Sequence, residues 1–311
     1  MTIEQQGAVS TVYYDVFPGW ELWTLHTSDN HFDSIYCNRE TMRADFDEAR
    51  RRHARINIYG DWFDGMQGRF DPRRSMAELR PEYCTDAYYD KVTDDSAGWL
   101  EPYADLLDVM ADGNHELSIL KNASTNLMDR LVMLLRMKTK SSAIHGGYGG
   151  WIRYMFNMSD GKNTGPRTSI KLKYFHGSGG EAPVTRGAIQ TNRQAVYLPD
   201  ANIIVNGQSH NAYYIPIQRE RISNKGQQYF DTQHHIRIPG YKQGYGDGTT
   251  GWEVTRGGVP KPLGSFWTRF YCEDHQVKIQ VIPQLSDPVP VHVEAEAIYN
   301  GAAYDDDGEG E

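Results

Sequence analysis

The sequence predicts a mixed α/β (α+β) fold in which short buried strands alternate with helices before a β-rich second half. Three observations indicate this fold. Apolar runs such as residues 56–59 alternate with helical periodicity in the first half of the chain. Polar clusters directly follow these runs, as they do at the carboxyl ends of strands in open α/β sheets. The rest of the chain has mostly β patterning and many aromatic residues.

The predicted elements of the first half follow from these patterns in order. The first strand is predicted over residues 20–26, a helix over 38–55 and a buried strand over 56–59. Helical periodicity over 73–107 is interrupted near 94–98 and ends in a third strand at 106–110. Another helix is predicted over 124–137, with Ser124, Thr125 and Asn126 as its start signal. The arginines of the 38–55 helix fit a nucleic-acid patch or, preferably, a solvated face with i,i+4 pairs.

The second half is predicted from alternating patterns. Strands are expected over 151–157, 169–175, 201–206, 211–217, 229–238, 265–272 and 277–282, and a short helix over 186–198. His234 and His235 are adjacent, so in a strand they face opposite ways, and we interpret them as structural. The long loop over residues 239–262 contains Tyr241, Tyr245, Trp252 and Arg256. These side chains fit either the stacking of nucleic-acid bases or packing on the fold.

Length and composition limit the organisation of the chain. At 311 residues it is long enough for one large domain or two small ones. No linker, composition break or repeat divides it, so we expect one domain over residues 1–300 and an acidic disordered tail over 301–311. The net charge of −9 argues against a broad basic surface for nucleic acid. It leaves room for a local one, because bound metal ions supply positive charge of their own.

The cysteines and the N-terminus indicate a cellular compartment. Cys37, Cys84 and Cys272 are unevenly spaced and form no C-x-x-C pair. We therefore expect neither a disulfide framework nor a cysteine zinc site, which favours a reducing compartment. The first ten residues have no signal-peptide layout, and no apolar run approaches about 18 residues. We expect a cytoplasmic protein with no membrane partner.

Five polar clusters follow predicted strands. They are Asp29-x-His31, Asp61-x-x-Asp64, Asn114-His115-Glu116, His176 and Gln208-x-His210. Taken singly, each fits an ordinary turn or helix cap. Together they offer carboxylate, imidazole and amide ligands, the mixture expected for divalent manganese, iron, zinc or magnesium. Two ions about 3.5–4 Å apart need a bridging carboxylate, for which Asp61 is the natural candidate.

In this order and context the five clusters resemble the calcineurin-like metallophosphoesterases, a superfamily of two-metal hydrolases. The resemblance runs over about residues 20–217 and implies a four-layer β-sandwich flanked by α-helices. The ligands that it implies are Asp29, His31 and His210 for the first metal, Asn114, His176 and Gln208 for the second, and Asp61 as the bridge. It also implies that His115, oriented by Asp64, is the catalytic histidine that assists the leaving oxygen. A metal-bound hydroxide would attack phosphorus.

The last cluster departs from the family pattern. The family carries G-H-x-H at this point, whereas this chain has Gly207-Gln208-Ser209-His210. Gln208 offers a neutral oxygen but no imidazole nitrogen. The substitution therefore weakens the second site, favours a harder ion, or removes that metal. We expect two divalent ions, with manganese favoured and magnesium, iron or zinc as alternatives.

The resemblance also bears on the substrate. Asp64 is followed by Gly65, where phosphoprotein phosphatases of the superfamily carry an arginine that grips a phosphate monoester. The retained His210 is the pattern of the phosphodiesterase and repair-nuclease branches, and residues 147–151 and 251–254 are similar to phosphoesterases encoded by phages. We predict a phosphodiesterase acting on DNA or nucleotides, in the host cytoplasm if viral. The alternatives are a phosphomonoesterase, including a protein phosphatase, and a catalytically silent binding protein whose metals only stabilise the fold.

Overall fold

The computed structural model describes residues 3–65, 78–159, 164–178, 184–246, 248–249 and 251–287. The strands within these ranges are β1 (Ile3–Gln6), β2 (Val9–Val16), β3 (Glu21–Thr27), β4 (Arg55–Tyr59), β5 (Leu107–Ala111), β6 (Ile144–His145), β7 (Gly149–Ser159), β8 (Thr164–Phe175), β9 (Ile203–Asn206), β10 (Tyr213–Ile222), β11 (Gln228–Arg237), β12 (Leu263–Glu273) and β13 (Gln276–Ser286). The helices are α1 (Arg39–Arg52), α2 (Tyr88–Leu100), α3 (Asn114–Ala123), α4 (Leu127–Thr139), α5 (Ala188–Tyr197) and α6 (Trp252–Thr255), with 3₁₀ turns at Pro81–Tyr83 and Glu101–Tyr103.

The strands form two mixed sheets. In the six-stranded sheet the order is β13-β12-β3-β4-β5-β6, and β3 to β6 are parallel. In the seven-stranded sheet the order is β1-β2-β7-β8-β9-β11-β10. Parallel neighbours end at the same edge of a sheet, so the loops that follow β3, β4 and β5 emerge side by side. The same edge receives the loop after β8, where the His176 N–H donates to Tyr148 O at 3.1 Å.

Two apolar cores hold the layers together. One lies between helices and the six-stranded sheet and contains Met42 and Phe46 of α1, Leu131 of α4 and Ile56 and Ile58 of β4. The other lies between the two sheets, where side chains such as Ile152, Leu172 and Phe270 interdigitate. A strand covered on both faces is mostly apolar, and β4 and β5 fit this apart from the buried polar side chains of Asn57 and Asp108. The predicted mixed α/β sandwich flanked by helices is confirmed.

Several element predictions need correction. The strand predicted as the first is β3, because β1 and β2 precede it. The predicted interruption near residues 94–98 is wrong, since α2 runs unbroken from Tyr88 to Leu100 and buries Ser96 and Ala97. Helix α3, directly after Gly113, was not predicted as a separate element. The error in α2 arises because the helix continues through a local breaker signal, Gly98.

The charged face of α1 is paired within the protein. Glu48 accepts from both Arg51 and Arg52, and Arg50 forms an ion pair with Asp105. This arrangement fits the solvated face preferred from the sequence. At the start of the helix the Asn38 side chain accepts from the Thr41 N–H at 2.9 Å and so caps it.

Other expectations concern the edges of the chain and its thiols. The predicted acidic tail, residues 301–311, lies outside the described residues. Cys37, Cys84 and Cys272 are free thiols, and the sequence predicted no disulfide framework. Within the described part of the chain, no helix has both the length and the apolar character needed to cross a membrane.

Candidate metal centre

The loops after β3 and β4 carry the first two predicted clusters and run side by side. The Asp29 N–H donates to Gly60 O and the His31 N–H donates to Asp61 O, both at 3.0 Å. Each loop therefore extends the pairing of its own parallel strand by several residues. This extension fixes the carboxylates and the imidazole at the carboxyl edge of the six-stranded sheet, as the sequence predicted.

The backbone at this edge is bent into an unusual conformation. Asp29, His31 and Asp61 have φ values of 51°, 47° and 51°, and Gln208 and His210 have 69° and 54°. L-residues rarely adopt positive φ, and such residues concentrate at functional sites, where the surrounding structure holds them in place. The bends turn these side chains inward toward one another.

Asp29, His31 and His210 form the first candidate metal group. Their ligand atoms all lie within 4.8 Å of one another. The His31 and His210 rings stack with centroids 5.3 Å apart, and His210 Nε2 lies 3.5 Å from Asp29 Oδ1. Burial lowers the pKa of both imidazoles to about 4, so both rings are neutral at neutral pH and keep a nitrogen lone pair. Neutral imidazole is the form that binds metals.

The hydrogen bonds of His31 determine which nitrogen keeps its lone pair. Its Nδ1 lies 2.7 Å from Asp64 Oδ1, and because a carboxylate oxygen only accepts, Nδ1 carries the proton. Its Nε2 is buried and has no hydrogen-bond partner. A buried acceptor without a partner is costly, and a cation among these three side chains would satisfy it.

Asp29, Asp61 and His176 form a second group, also with ligand atoms within 4.8 Å. His176 Nδ1 lies 2.8 Å from Tyr59 O and so donates to that carbonyl. Its Nε2 lies 3.1 Å from Asp61 Oδ2 and 3.2 Å from Asn114 Oδ1. A lone pair cannot face a carboxylate oxygen at this distance without a proton or a metal ion between them. This donor set therefore fits a divalent cation.

The charges of the second group are consistent with this fit. Burial lowers the pKa of His176, but the negative charges of Asp61 and Asp29 outweigh it and raise the pKa to about 10. Burial likewise opposes ionisation of Asp61, yet the charges of His176 and His115 hold its pKa well below the usual range. The cluster thus holds excess negative charge that a proton partly offsets.

These two groups share Asp29 rather than Asp61, and a third group among the described residues, His31, Asp64 and His115, shares His31 with the first. The sequence predicted Asp61 as the bridge, and the ligand atoms of Asp61 lie close to His176 and to His115, with Oδ2 3.1 and 3.8 Å from their Nε2 atoms. Bridging by Asp61 stays a prediction. Asn114, predicted for the second metal, lies beside His176 in this group.

Gln208 reaches the site through its main chain. Its N–H donates to both carboxylate oxygens of Asp29, at 3.0 and 2.9 Å. Its side-chain Oε1 lies beside Gly177, where an added Cβ would sit 2.7 Å away. The amide is therefore next to the His176 loop, and its role as a ligand stays a prediction.

His115 lies at the edge of both groups. Its Nδ1 donates to the main-chain O of Asp64 at 2.5 Å and lies 3.7 Å from the carboxylate Oδ1. Asp64 thus holds the His115 ring through its carbonyl, while its carboxylate contacts His31, and the orienting role predicted for Asp64 stays a prediction. The His115 side chain is 11% exposed, and its Nε2 lies 3.8 Å from Asp61 Oδ2.

Glu116 has a role that sequence reasoning missed. Its buried carboxylate accepts from the N–H groups of Asp61, Phe63 and Gly113 at 2.9, 3.0 and 2.7 Å. One side chain therefore joins the loop after β4 to the start of α3. Burial and the charge of Asp61 raise its pKa to about 8. A glutamate at the third position of a helix is an ordinary capping signal, so only its partners across the chain reveal this function.

Two glycines are required by close approaches. A Cβ on Gly113 would lie 2.0 Å from Asp61 Oδ1, and one on Gly207 would lie 2.5 Å from Asp29 Oδ2. Both carboxylates thus pack directly against a backbone that has no side chain.

No protein-family model matches the chain, and no curated protein does either. Among solved structures it is similar to vacuolar protein sorting 29 from Cryptosporidium parvum, with 10% identity and a TM-score of 0.35 over 86% of this chain and 99% of that chain. It is similar to a conserved uncharacterized protein and predicted phosphoesterase from Streptococcus pneumoniae, with 13% identity and a TM-score of 0.27 over 85% and 90%. It is also similar to Vps29 complexed with Zn²⁺ from Entamoeba histolytica, with 9% identity and a TM-score of 0.31 over 84% and 98%. Identities and TM-scores this low leave the chemistry of the site to be inferred from its own residues.

Proposed function

We propose that this protein is a metal-dependent phosphoester hydrolase of the calcineurin-like metallophosphoesterase type, with a phosphodiester in DNA or a nucleotide as its substrate. The proposal includes the phosphodiesterase and repair-nuclease branch and a phage origin, with action in the host cytoplasm. Two divalent ions, manganese in preference, would be held by the predicted ligands. Those ligands are Asp29, His31, Asp61, Asn114, His176, Gln208 and His210.

One observation supports the proposal most strongly. His31 Nε2 is buried and has no hydrogen-bond partner, and His176 Nε2 lies 3.1 Å from Asp61 Oδ2 and 3.2 Å from Asn114 Oδ1, two oxygens that can bind a cation. In each ring the other nitrogen donates to a carboxylate or carbonyl oxygen, at 2.7 and 2.8 Å. This pairing fixes the tautomer and raises the basicity of metal-binding histidines.

The residues around the groups suit hydrolysis of a phosphoester. Divalent ions bound there would neutralise charge on the phosphoryl oxygens and lower the pKa of a coordinated water. His115 Nε2 lies 3.8 Å from Asp61 Oδ2, beside the candidate ligands, and its Nδ1 proton is held by Asp64 O at 2.5 Å. When protonated, Nε2 can give its proton to the departing oxygen. The centre itself is nearly closed to solvent, since Asp29, Asp61 and His176 are 0%, 2% and 0% exposed.

A diester substrate fits the site better than a monoester. Gly65 stands where an arginine would grip the extra negative charge of a monoester. Lys242 contacts Asp64, the residue before Gly65, but its Nζ is paired with Asp64 and Glu78 at 2.8 and 3.0 Å. It therefore cannot take over the grip.

An exposed tryptophan in the β11–β12 connection supports a nucleic-acid or nucleotide substrate. The β11–β12 connection begins at the site, where the Tyr241 N–H donates to Asp29 O at 3.0 Å. It ends near Lys261, which donates to Ser209 O at 2.7 Å. Between these anchors Trp252 is 44% exposed, with the Arg256 guanidinium 4.7 Å from its ring centroid. Exposed aromatic rings paired with arginine stack bases in single-strand-binding proteins.

The test begins with metal-depleted protein, to which manganese, zinc or magnesium is returned. We expect hydrolysis of bis-para-nitrophenyl phosphate and of single-stranded DNA, and slower hydrolysis of the monoester. Asp61→Asn should lower both bound metal and turnover, because it removes a charged ligand. Asp105→Asn, which alters a surface pair with Arg50, is the matched control and should leave both unchanged.

Three outcomes would contradict parts of the proposal. Protein that binds no divalent ion has no metal centre. Protein that binds metal but hydrolyses none of the three substrates is a silent binding protein. Faster turnover of the monoester than of the diester would favour a phosphomonoesterase.

A further inference from the structure

A buried lysine from a distant segment contacts the candidate metal centre. Lys242 follows β11, and its Nζ lies 2.8 Å from Asp64 Oδ1 and 3.0 Å from Glu78 Oε2. Its side chain is only 9% exposed. The main chain at Lys242 forms a bridge with Cys37 in the loop before α1, so the backbone on both sides is held. A lysine is seldom buried unless its charge is paired.

The lysine and His31 share one oxygen atom. Asp64 Oδ1 accepts from His31 Nδ1 at 2.7 Å and from Lys242 Nζ at 2.8 Å. The opposite nitrogen of His31 is the buried Nε2 that has no hydrogen-bond partner. A chain of contacts thus runs from Lys242 through the Asp64 carboxylate to the lone pair offered to the first metal group.

The rest of Asp64 is fixed by other elements. Its N–H donates to Asp33 Oδ1 at 2.6 Å, and its carbonyl holds His115 Nδ1 at 2.5 Å. The main chain is therefore anchored independently of Lys242. The rotation of the Asp64 carboxylate is then fixed by two donors, the ammonium group of Lys242 and the imidazole of His31.

We propose that Lys242 is a positioning residue: it holds the Asp64 carboxylate so that His31 presents Nε2 to the first metal group, Asp29, His31 and His210. This inference rests on the proposed metal centre. It assigns the β11–β12 connection a part in building that centre, beyond any contact with substrate. Among the described residues, the ion pairs of Lys242 are with Asp64 and Glu78.

Simple electrostatics predicts the opposite effect from positioning. A positive charge near a cation site repels the cation, so removing Lys242 would tighten metal binding if charge alone mattered. Positioning predicts weaker binding, because a ligand whose orienting partner is loosened binds metal less well. The direction of the change in metal affinity therefore separates the two explanations.

The experiment compares four variants of the full chain with the wild type. Lys242→Met keeps the apolar length of the side chain and removes its charge, and Lys242→Arg restores a donor to Asp64. Arg55→Met is the matched control, because it breaks an equally buried ion pair, with Asp108, at the opposite end of β4. Glu78→Gln removes the second partner of Lys242 and leaves Asp64 in place. Each protein is depleted of metal and titrated with Co²⁺, following bound ions per chain, the visible absorption of the cobalt protein and thermal unfolding.

For Lys242→Met we expect the dissociation constant of the tighter site to rise about 10- to 100-fold, as for loss of other groups that orient a metal ligand. The cobalt spectrum should change, because His31 no longer binds in the same orientation. Lys242→Arg should recover most of the affinity. Arg55→Met and Glu78→Gln should keep the wild-type dissociation constant and spectrum, even where the protein unfolds at a lower temperature.

Some results would overturn the inference. These are an unchanged or lower dissociation constant in Lys242→Met, or an equal loss in Arg55→Met. If Lys242→Met does not fold, the double variant Lys242→Met/Glu78→Gln removes the unpaired Glu78 charge and is judged by the same criteria. If the wild type binds metal and hydrolyses phosphoesters, and Lys242→Met has the same dissociation constant for metal, only this inference is contradicted. Wild-type protein that binds no metal contradicts the proposed function and the inference with it.

Discussion

Substitution of Gly113 by alanine tests how closely the centre is packed. The added Cβ would lie 2.0 Å from Asp61 Oδ1 and 2.4 Å from the Asp61 main-chain N. Ordinary contact begins near 3.4 Å, so the carboxylate would have to recede by more than about 1 Å. Because the φ of Gly113 is −109°, alanine meets no conformational penalty there, and the clash is the main effect.

The magnitude follows from this displacement. A misplacement of about 1 Å in a catalytic site costs about 100-fold in rate. We therefore expect Gly113→Ala to lower turnover of bis-para-nitrophenyl phosphate by about 100-fold or more and to weaken binding of at least one metal. Overpacking also costs stability, by about 1–3 kcal/mol. The measurements are bound manganese per chain, steady-state turnover and denaturant unfolding.

Gly98→Ala is the matched control. Gly98 lies within α2, and an added Cβ there would meet nothing within 4 Å. Alanine in a helix interior is favoured over glycine by about 0.5–1 kcal/mol, so this variant should be slightly more stable, with metal content and turnover unchanged. If Gly113→Ala kept its metal and lost no more activity than Gly98→Ala, the close packing of Gly113 on Asp61 would not matter for the centre.

Three further predictions concern single side chains. His115→Ala should keep metal binding but lower turnover by about 10²–10⁴-fold on an alkoxide leaving group, with a smaller loss on nitrophenolate, which departs without a proton; equal losses would remove His115 from the acid role. Gln208→His should tighten the weaker metal site and shift its preference toward zinc, measured by titration of bound ions, and unchanged affinity at both sites would place Gln208 outside the ligand set. Burial raises the pKa of Asp45 from 3.8 to about 6. Hydrogen bonds from Tyr241 and Ser265 lower this pKa, and the negative charge of Glu48 raises it, but burial has the largest effect. The contribution of Asp45 to stability is thus full below about pH 4 and is lost as the pH rises through 6. Asparagine does not titrate, so the free energy of unfolding of Asp45→Asn relative to that of the wild type should rise by on the order of 3 kcal/mol between pH 4 and pH 7. A difference that does not vary with pH would mean that Asp45 titrates normally.

The sequence alone was sufficient for the local part of the site. Buried parallel strands are mostly apolar on both faces, and the residues after them must turn, so β4 and β5 and the clusters at Asp61 and Asn114 could be located from residue pattern alone. Positions such as Asp29 and His31 are two apart in the chain, and their joint orientation depends on only a few backbone angles. The start of α1 at Asn38 was predictable for the same reason, because a cap bonds to a residue three positions away.

Only the tertiary structure decided which partner each polar group takes. Asp64 was expected to orient His115, and in the fold its carbonyl contacts His115 while its carboxylate contacts His31 and Lys242, which is 178 positions away along the chain. Glu116 has the sequence of an ordinary capping residue, and only the approach of the β4 loop makes it a link between Asp61 and Gly113. A hydrogen bond is selected by distance and angle within about 3 Å, and such distances between remote segments are set by how the sheets and helices pack. Sequence periodicity carries no record of those distances.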